Sequence, residues 1–254
     1  MELRDKVVVV TGGASGIGAA MARRFMREGA RAVVVADRHA DAAESVAREI
    51  GGHAATVDVS DEAQVQRLID DTEARHGTID LFCSNAGITA HGGPELPDAD
   101  WQRVMDVNLM AHVRAARALL PRMLARGRGH LLQTASAAGL LSQFDAPYAV
   151  SKHAAVAFAE WLSITYGARG IGVSCLCPGG VETPLLEAET PQRRALMASG
   201  IVSAETVAEC VIDGLREERF LILPQDFIRE QMQRKAADTE RWLRGMRKLH
   251  AAAG

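Results

Sequence analysis

The chain has 254 residues, a formal net charge of −3 and 48% hydrophobic residues. Because positive charge is not in excess, we expect neither nucleic acid nor a membrane as a partner. No apolar run approaches the length of a membrane span, and the start, MELRDKVVVV, has acidic residues where a signal peptide would be basic. A cytoplasmic protein is therefore expected, and the evenly spread hydrophobic residues predict a single domain over 1–254.

The cysteines indicate neither a disulfide nor a metal site. They are Cys83, Cys175, Cys177 and Cys210, and their spacings fit no zinc motif. Cys175 and Cys177 stand on one predicted strand, where small buried hydrophobic residues are common. We therefore predict no metal ligands in this chain.

Strand and helix patterns alternate along the chain with almost no long gaps, which is typical of an α/β fold with a doubly wound parallel sheet of about seven strands, flanked by helices. Strands are predicted at 6–11, 31–36, 53–57, 79–83, 130–134, 171–177 and 220–223. Helices are predicted at 17–28, 40–50, 61–75, 99–126, 147–168 and 203–217. A helical tail over about 225–250 completes the pattern.

The first predicted strand opens into a glycine-rich loop, TGGASGIG. Val7 to Val10 show no polar alternation, which indicates a strand buried on both faces. Gly12 can take a tight turn, Gly16 allows a bound group to approach the backbone, and Gly18 allows the next helix to pack on the strand. That helix points the free N–H groups of its first turn at the loop, where they could bind a pyrophosphate.

The second predicted strand ends in Asp37, about twenty residues beyond the last glycine of the loop. A carboxylate there can accept hydrogen bonds from the ribose hydroxyls of a dinucleotide. It would repel a 2′-phosphate, so we predict NAD rather than NADP. The neighbouring Arg38 leaves NADP open, because a guanidinium could bind that phosphate. The plain alternative is a glycine-rich turn followed by a solvated acid.

Small, polar and turn-forming residues follow the later strands, at the edge where an open α/β sheet binds its ligands. They are Asp58 and Val59, then Asn85, Ala86 and Gly87, then Ser136, and finally the run from Pro178 to Thr183. Each group taken alone is also an ordinary turn. Their recurrence favours a ligand site at this edge.

Tyr148 and Lys152 lie on one face of a predicted helix. An ammonium beside a phenol, together with the positive ring of an oxidised nicotinamide, would lower the pKa of Tyr148. Tyr148 could then act as general base on an alcohol or as general acid on a ketone. Ser136 could donate a hydrogen bond to the substrate oxygen. Taken singly, a tyrosine and a lysine on one helix are more often structural.

Asn108 lies inside the long predicted helix, in the run VNLMAHV. An amide is unfavourable in a helix interior, and its plain role would be to face solvent. Its functional role would be to hold a water that relays protons from Lys152.

Together these motifs resemble the short-chain dehydrogenase/reductase family, in the family's order and at about its spacings, from Lys6 to Thr183. The resemblance implies a Rossmann-type fold and an NAD(P)-dependent oxidoreductase acting on a secondary alcohol or ketone. The implied catalytic residues are Asn108, Ser136, Tyr148 and Lys152. The implied cofactor-binding residues are Gly12, Ser15, Gly16, Ile17, Gly18, Asp37, Arg38, Asp58, Val59, Asn85, Ala86, Gly87, Tyr148, Lys152, Pro178, Gly179, Val181 and Thr183.

The same resemblance assigns parts of the cofactor. Asp58 and Val59 would lie near the adenine, and the run from Asn85 to Gly87 along the ribose. Val181 and Thr183 would hold the carboxamide, and Lys152 would also bind the nicotinamide ribose.

The chain departs from the family near its end, where RFLILPQDF stands in place of a V-D-G-G turn. Members tend to build the substrate pocket from the position of Glu182 to the chain end, with the pocket segment expected at about 183–217, so the substrate is left open. One alternative is a dinucleotide-sensing binding protein without turnover, which the intact tetrad disfavours. Another is an epimerase or dehydratase of the longer relatives, but those carry a T-G-x-x-G-x-x-G loop and a larger C-terminal domain.

Apolar residues flank the implied tetrad and predict a lipophilic substrate. They are Leu140, Leu141, Phe144, Leu185, Leu186 and Met197. Further along the chain, residues spaced alternately four and three apart form a stripe that predicts one tail helix with a weakly apolar side. The stripe comprises Ile228, Met232, Lys235, Thr239, Trp242, Met246 and Leu249. This helix is expected either to pack on the surface of its own subunit or to cover the pocket mouth of its own or a neighbouring subunit.

The resemblance also implies a homodimer or homotetramer, formed by the helices predicted at 99–126 and 147–168. Small residues on these helices would allow their backbones to approach, although they also suit packing on the sheet. These residues are Ala111, Ala115, Ala118, Ala154, Ala155 and Ala159.

Overall fold

A computed structural model describes residues 1–142 and 144–252. Over these residues the strands are β1 (Val7–Thr11), β2 (Ala32–Asp37), β3 (His53–Thr56), β4 (Leu81–Ser84), β5 (Gly129–Thr134), β6 (Ile171–Leu176) and β7 (Leu221–Ile222). They form one sheet in the order β3-β2-β1-β4-β5-β6-β7. Every neighbouring pair is parallel, so the doubly wound sheet predicted from the sequence is confirmed.

The helices of the described chain are α1 (Gly16–Arg27), α2 (Ala40–Ile50), α3 (Glu62–His76), α4 (Asp98–Met105), α5 (Ala111–Arg126), α6 (Ala146–Tyr166), α7 (Pro184–Glu187), α8 (Pro191–Met197), α9 (Ala204–Arg216), α10 (Asp226–Ala237) and α11 (Thr239–Ala252). A π-helical turn, Asp106–Met110, joins α4 to α5. The helix predicted at 99–126 is therefore one run with a widened turn. None of the described helices is long and apolar enough to cross a membrane.

Helices on both faces of the sheet explain the unbroken aliphatic run of β1. Val7 and Val9 contact one core cluster, which includes apolar residues of α3, α5 and α6. Val8 and Val10 contact another, which includes residues of α1, α2 and α9. Since successive side chains of a strand point to opposite faces, a central strand covered twice needs apolar residues at every position.

The tail is two helices rather than the single helix that the stripe predicted. Asp238 separates α10 from α11 with φ −152° and ψ 88°. Its side chain accepts a hydrogen bond from the N–H of Arg241 at 2.8 Å, so it caps the new helix. The apolar stripe runs across this break, so its spacing alone does not reveal it.

The tail packs on its own subunit, against the loop that follows β5. Ile228 is fully buried in a small cluster with Leu141, and Trp242 packs against the same cluster. The ammonium of Lys235 donates to the carbonyl of Leu140 at 2.8 Å and lies 5.1 Å from the centre of the Trp242 ring. The tail therefore supports the segment that leads from Ser136 to α6.

Candidate active site

The glycine-rich loop after β1 leads into an uncapped helix N-terminus. Ser15 occupies the cap position of α1, but in this fully described stretch its side chain accepts no bond from the first turn, which also lacks an acidic residue. In contrast, Asp61, Thr190 and Ser203 cap α3, α8 and α9 with their side chains. The free N–H groups and the positive end of the α1 dipole therefore suit an anionic group such as a pyrophosphate.

The glycines of this loop leave no room for side chains. A Cβ on Gly18 would lie 2.0 Å from the carbonyl oxygen of Gly12. Gly12 itself has φ +62°, and a Cβ there would lie 2.8 Å from Cα of Ala86. A Cβ on Gly16 would lie 2.9 Å from Cγ2 of Thr183, so the loop after β6 lies directly against the glycine-rich loop. The tight turn at Gly12 and the close packing at Gly18 are confirmed.

Asp37 lies at the end of β2 and holds the glycine-rich loop. Its Oδ2 accepts a hydrogen bond from the N–H of Ala14 at 3.2 Å, and its Oδ1 accepts one from the N–H of His39 at 3.0 Å. Only 11% of the side chain is exposed, whereas the adjacent Arg38 is exposed. The carboxylate is thus held in place at the carboxyl end of β2, and its contact with a ribose stays a prediction.

The ends of β1 and β4 are fixed together by Thr11. Its Oγ1 accepts hydrogen bonds from the N–H groups of Asn85 at 2.9 Å and Ala86 at 3.2 Å. A Cβ on Gly87 would lie 3.3 Å from Nζ of Lys152, so this loop reaches the predicted catalytic residues. Of the predicted adenine contacts, Asp58 is exposed, whereas Val59 is 8% exposed and belongs to the core.

Ser136, Tyr148 and Lys152 come together at the carboxyl ends of β5 and β6. Lys152 is 2% exposed and its Nζ donates to the carbonyl of Thr134 at 2.9 Å. That Nζ lies 5.7 Å from the centre of the Tyr148 ring. Burial lowers the pKa of Lys152 to about 8. Ser136 is 8% exposed, and its Oγ accepts a bond from the N–H of Ala138 at 3.1 Å.

The pKa of Tyr148 is raised in the protein alone, whereas the prediction of a lowered pKa included the positive ring of a bound nicotinamide as well as Lys152. Burial disfavours the phenolate and is the largest cause, while a hydrogen bond with Ser136 opposes the rise. Lys152 is itself desolvated, which lowers its pKa to about 8, and its ammonium does not offset the effect of burial on Tyr148. A lowered pKa would therefore require further positive charge beside the phenol.

Asn108 does not face solvent. It is fully buried in the π-helical turn, and its Oδ1 accepts from the N–H of Ile88 at 2.9 Å. Its Nδ2 donates to the carbonyl of Ile88 at 2.9 Å and to Oγ of Ser151 at 3.0 Å. The side chain therefore joins the loop after β4 to α6, and π-helical turns are frequent at functional sites. The water relay through Asn108 stays a prediction.

The predicted apolar walls divide into two groups. Leu141 is only 2% exposed and packs under the tail with Ile228, so its assignment as a pocket wall is wrong. Phe144, Leu186 and Met197 are half-buried, and Leu185 is 40% exposed. These four residues, with the half-buried Leu140, leave apolar surface on the segments that precede α6 and follow β6.

A polar cluster that the sequence did not reveal joins α8 to the start of α6. Nη1 of Arg193, in α8, donates to Oδ2 of Asp145 at 2.8 Å and to Glu189 at 3.3 Å, and lies 3.3 Å from Nδ1 of His91. Donor atoms of His91, Asp145 and Glu189 lie within 4.8 Å of one another, as metal ligands do. The guanidinium of Arg193 is the cation among them, and it also lies 5.1 Å from the centre of the Phe144 ring. Glu189 and Arg193 stand four residues apart, but His91 and Asp145 are distant in sequence, and no local pattern brings them to the cluster.

The described thiols form no disulfide. Cys175 and Cys177 are fully buried in the core, as predicted, with their sulfurs 3.6 Å apart. All four cysteines of the chain are free.

The family model described as short chain dehydrogenase matches residues 6–194, well over half of the chain. The chain belongs to the short-chain dehydrogenase family. A solved structure of a short-chain dehydrogenase/reductase from Burkholderia phymatum, in complex with NAD, is 31% identical, with a TM-score of 0.85 over 94% of this chain and 96% of that one.

Two similar curated relatives in the family are dehydrogenases. The 1-deoxy-11-beta-hydroxypentalenate dehydrogenase of Streptomyces exfoliatus is 43% identical, covering 87% of this chain and 84% of its own length. The cis-4-hydroxycyclohexanecarboxylate dehydrogenase of Sinomonas cyclohexanicum is 36% identical, covering 82% and 88%. This short-chain dehydrogenase is therefore an NAD(P)-dependent oxidoreductase that acts on CH–OH groups, and a binding protein without turnover is not favoured.

Proposed function

We propose that this enzyme interconverts a lipophilic, cyclic secondary alcohol and its ketone, with NAD as cofactor and Tyr148 as general acid and base. The main support is the convergence of Tyr148, Ser136 and Lys152 beside a glycine-rich loop whose helix N-terminus is uncapped. Each of these features has an ordinary structural role alone, but their meeting at one edge of the sheet suits hydride transfer next to a bound alcohol.

The residues of the chain fit a nicotinamide dinucleotide. The glycines at the first turn of α1 allow the loops after β1 and β6 to lie directly against the helix N-terminus, and the N–H groups of that turn are uncapped. Asp37 supports NAD over NADP, because its nearly buried carboxylate would repel a 2′-phosphate. The loop from Pro178 to Thr183 would hold the carboxamide end, next to Gly16 of the glycine-rich loop.

The chain would use three side chains in the reaction. When bound, the nicotinamide ring accepts or returns the hydride. Tyr148 takes the proton from the alcohol, or returns it to the ketone, and Ser136 donates a hydrogen bond to the substrate oxygen. Lys152 stabilises the phenolate and binds the nicotinamide ribose. Asn108 holds the backbone at Ile88 and thereby positions the loop along the cofactor.

The substrate class is proposed from the pocket walls and the relatives. Both relatives are named for hydroxy acids, and the second name describes a six-membered ring. Phe144, Leu186 and Met197 supply apolar surface for such a ring. We further propose a single catalytic domain in the cytoplasm that forms a homodimer or homotetramer. Trp161 and Ile164 on α6 are 52% and 83% exposed, which suits contact with a second copy.

The test is a screen of secondary alcohols and ketones that follows NADH or NADPH absorbance in both directions. The set pairs cyclic with linear alcohols, and hydroxy acids with their methyl esters. We expect the highest kcat/KM for cyclic compounds with NAD. No turnover of any alcohol or ketone by folded protein would contradict the proposed activity. A KM for NADP equal to or below that for NAD would overturn the cofactor preference.

A further inference from the structure

Gln225, just before α10, bonds the loop after β6 through its side chain. Its Oε1 accepts from the N–H of Gly179 at 2.9 Å. Its Nε2 donates to the carbonyl of Gly180 at 2.9 Å and to the carbonyl of Gly200 at 3.1 Å. The side chain therefore binds the proposed carboxamide loop and also Gly200, which ends the segment that contains α7 and α8. We call this segment, residues 183–200, the substrate-side segment.

The amide of Gln225 is buried and fully used. The residue is 6% exposed, and it occupies the cap position of α10 without capping that helix by its side chain. Both hydrogens of Nε2 are donated, and the oxygen faces an N–H group. The reversed amide would place N–H against N–H and oxygen against two carbonyls, so the three partners determine its orientation.

The same segment packs on two glycines. A Cβ on Gly179 would lie 3.3 Å from Nε2 of Gln225, and a Cβ on Gly200 would lie 2.7 Å from Cε1 of Phe227. The chain from Gln225 to Phe227 thus lies directly on the backbone at both positions. Such close approach suits a fixed support for these two stretches of backbone better than a loose surface contact.

The residues on either side of the substrate-side segment are hydrogen-bonded to each other. The N–H of Val202 donates to the carbonyl of Gly180 at 3.2 Å, and the N–H of Glu182 donates to the carbonyl of Val202 at 3.0 Å. The carbonyl of Gly180 therefore accepts from both Val202 and Gln225. These bonds fix the base of the segment beside the run from Val181 to Thr183.

We infer that Gln225 is a positioning residue for nicotinamide binding. By holding Gly179 and Gly180, it orients the loop proposed to bind the carboxamide, and by holding Gly200 it couples that loop to the substrate side. It lies in the stretch where the chain departs from the V-D-G-G pattern of its family. The inference rests on the proposed function, and its effect should be confined to the nicotinamide half of the cofactor.

The experiment compares the affinities of NADH and ADP-ribose, which lacks the nicotinamide ring, by isothermal titration. The Gln225→Met variant keeps the length of the side chain and removes its hydrogen bonds, and Gln225→Asn keeps a shorter amide. Gln233→Met, on the exposed side of α10, is the matched control. We expect Gln225→Met to weaken NADH binding about tenfold, because NADH must then order a loop that has lost its buried hydrogen bonds, while ADP-ribose binding stays within about twofold. Gln225→Asn should fall between that variant and the wild type.

Limited trypsin digestion of the proteins without cofactor provides a second measurement. Cleavage at Arg193 and Arg194 should be faster in Gln225→Met than in Gln233→Met, because the base of the segment is loosened. If Gln225→Met does not fold, Gln225→Asn is compared with the wild type in both measurements. Equal loss of NADH and ADP-ribose affinity, or no loss of either, would overturn the positioning role. Wild-type protein that binds neither compound would instead overturn the proposed function, and this inference with it.

Discussion

Acid should destabilise this protein through two buried histidines, one of which lies beside the proposed site. Burial, together with the charge of Lys152, lowers the pKa of His112 to about 3. Burial also lowers the pKa of His130 to about 4. Histidine in an unfolded chain titrates near 6.5. Below that pH the unfolded chain binds protons that the folded protein does not, so stability is complete above about 6.5 and is lost progressively towards these folded pKa values.

The size of the effect follows from these pKa values. Between pH 8 and pH 5, each histidine removes about 2 kcal/mol from the free energy of unfolding, or about 4 kcal/mol together. This is a large part of the 5–15 kcal/mol that is typical of a folded protein. The His112→Leu variant removes one of the two titrating groups at similar side-chain volume. Neither ring nitrogen of His112 has a well-formed hydrogen bond within the described residues, so the substitution need not break one.

The assay is urea unfolding at pH 8 and pH 5, followed by circular dichroism. The loss of stability between the two pH values should shrink by about 2 kcal/mol in His112→Leu. His250→Leu, at an exposed site on α11, should lose as much as the wild type. If His112→Leu loses as much stability as the wild type, the buried, neutral state of His112 is not a source of acid sensitivity.

Three further predictions concern specificity, the tail and assembly. In steady-state assays, Asp37→Ala should raise KM for NAD about tenfold, because one charged hydrogen-bond acceptor is lost, and should raise KM for NADP by a smaller factor. An unchanged ratio of the two KM values would contradict the ribose contact. Deletion from Thr239 onward removes α11 but keeps the buried Gln225 and Ile228. If α11 covers the pocket, the deletion should change KM for a bulky cyclic ketone more than KM for NAD. A truncated enzyme that discriminates bulky from small ketones as the full chain does would contradict a covering role. Light scattering should show a dimer or tetramer at micromolar concentration, and Ile164→Arg, at a side chain that is 83% exposed, should shift it towards monomer; a monomeric wild type would refute the assembly.

The sheet and the glycine-rich loop could be predicted because their causes are local. An apolar run without alternation marks a strand covered on both faces, and β1 is buried at every position. The glycines at Gly12 and Gly18 mark close backbone contacts that any larger side chain would prevent. The spacing of Tyr148 and Lys152 likewise placed them near each other on α6.

The features of the site that the sequence did not predict depend on partners distant in sequence. The π-helical turn at Asn108 accompanies bonds to Ile88 and Ser151, which no helical periodicity reveals. The pKa of Tyr148 is raised because the effect of burial, which only the folded protein produces, exceeds the opposing effect of the hydrogen bond with Ser136. The role of Gln225 was not predicted from the sequence, because its partners Gly179 and Gly200 lie 46 and 25 residues away along the chain. The break at Asp238 was readable as a helix cap, but the apolar stripe across it concealed the signal.

The most direct test of the proposed function is the Tyr148→Phe variant, measured for both NADH affinity and turnover of the best cyclic alcohol. Only one hydroxyl is removed, so NADH affinity should stay within about twofold of the wild type, while kcat falls by about 10² to 10⁴ with the loss of proton transfer. A Tyr148→Phe enzyme that binds NADH normally and retains most of its turnover would contradict the role of Tyr148 as general acid and base.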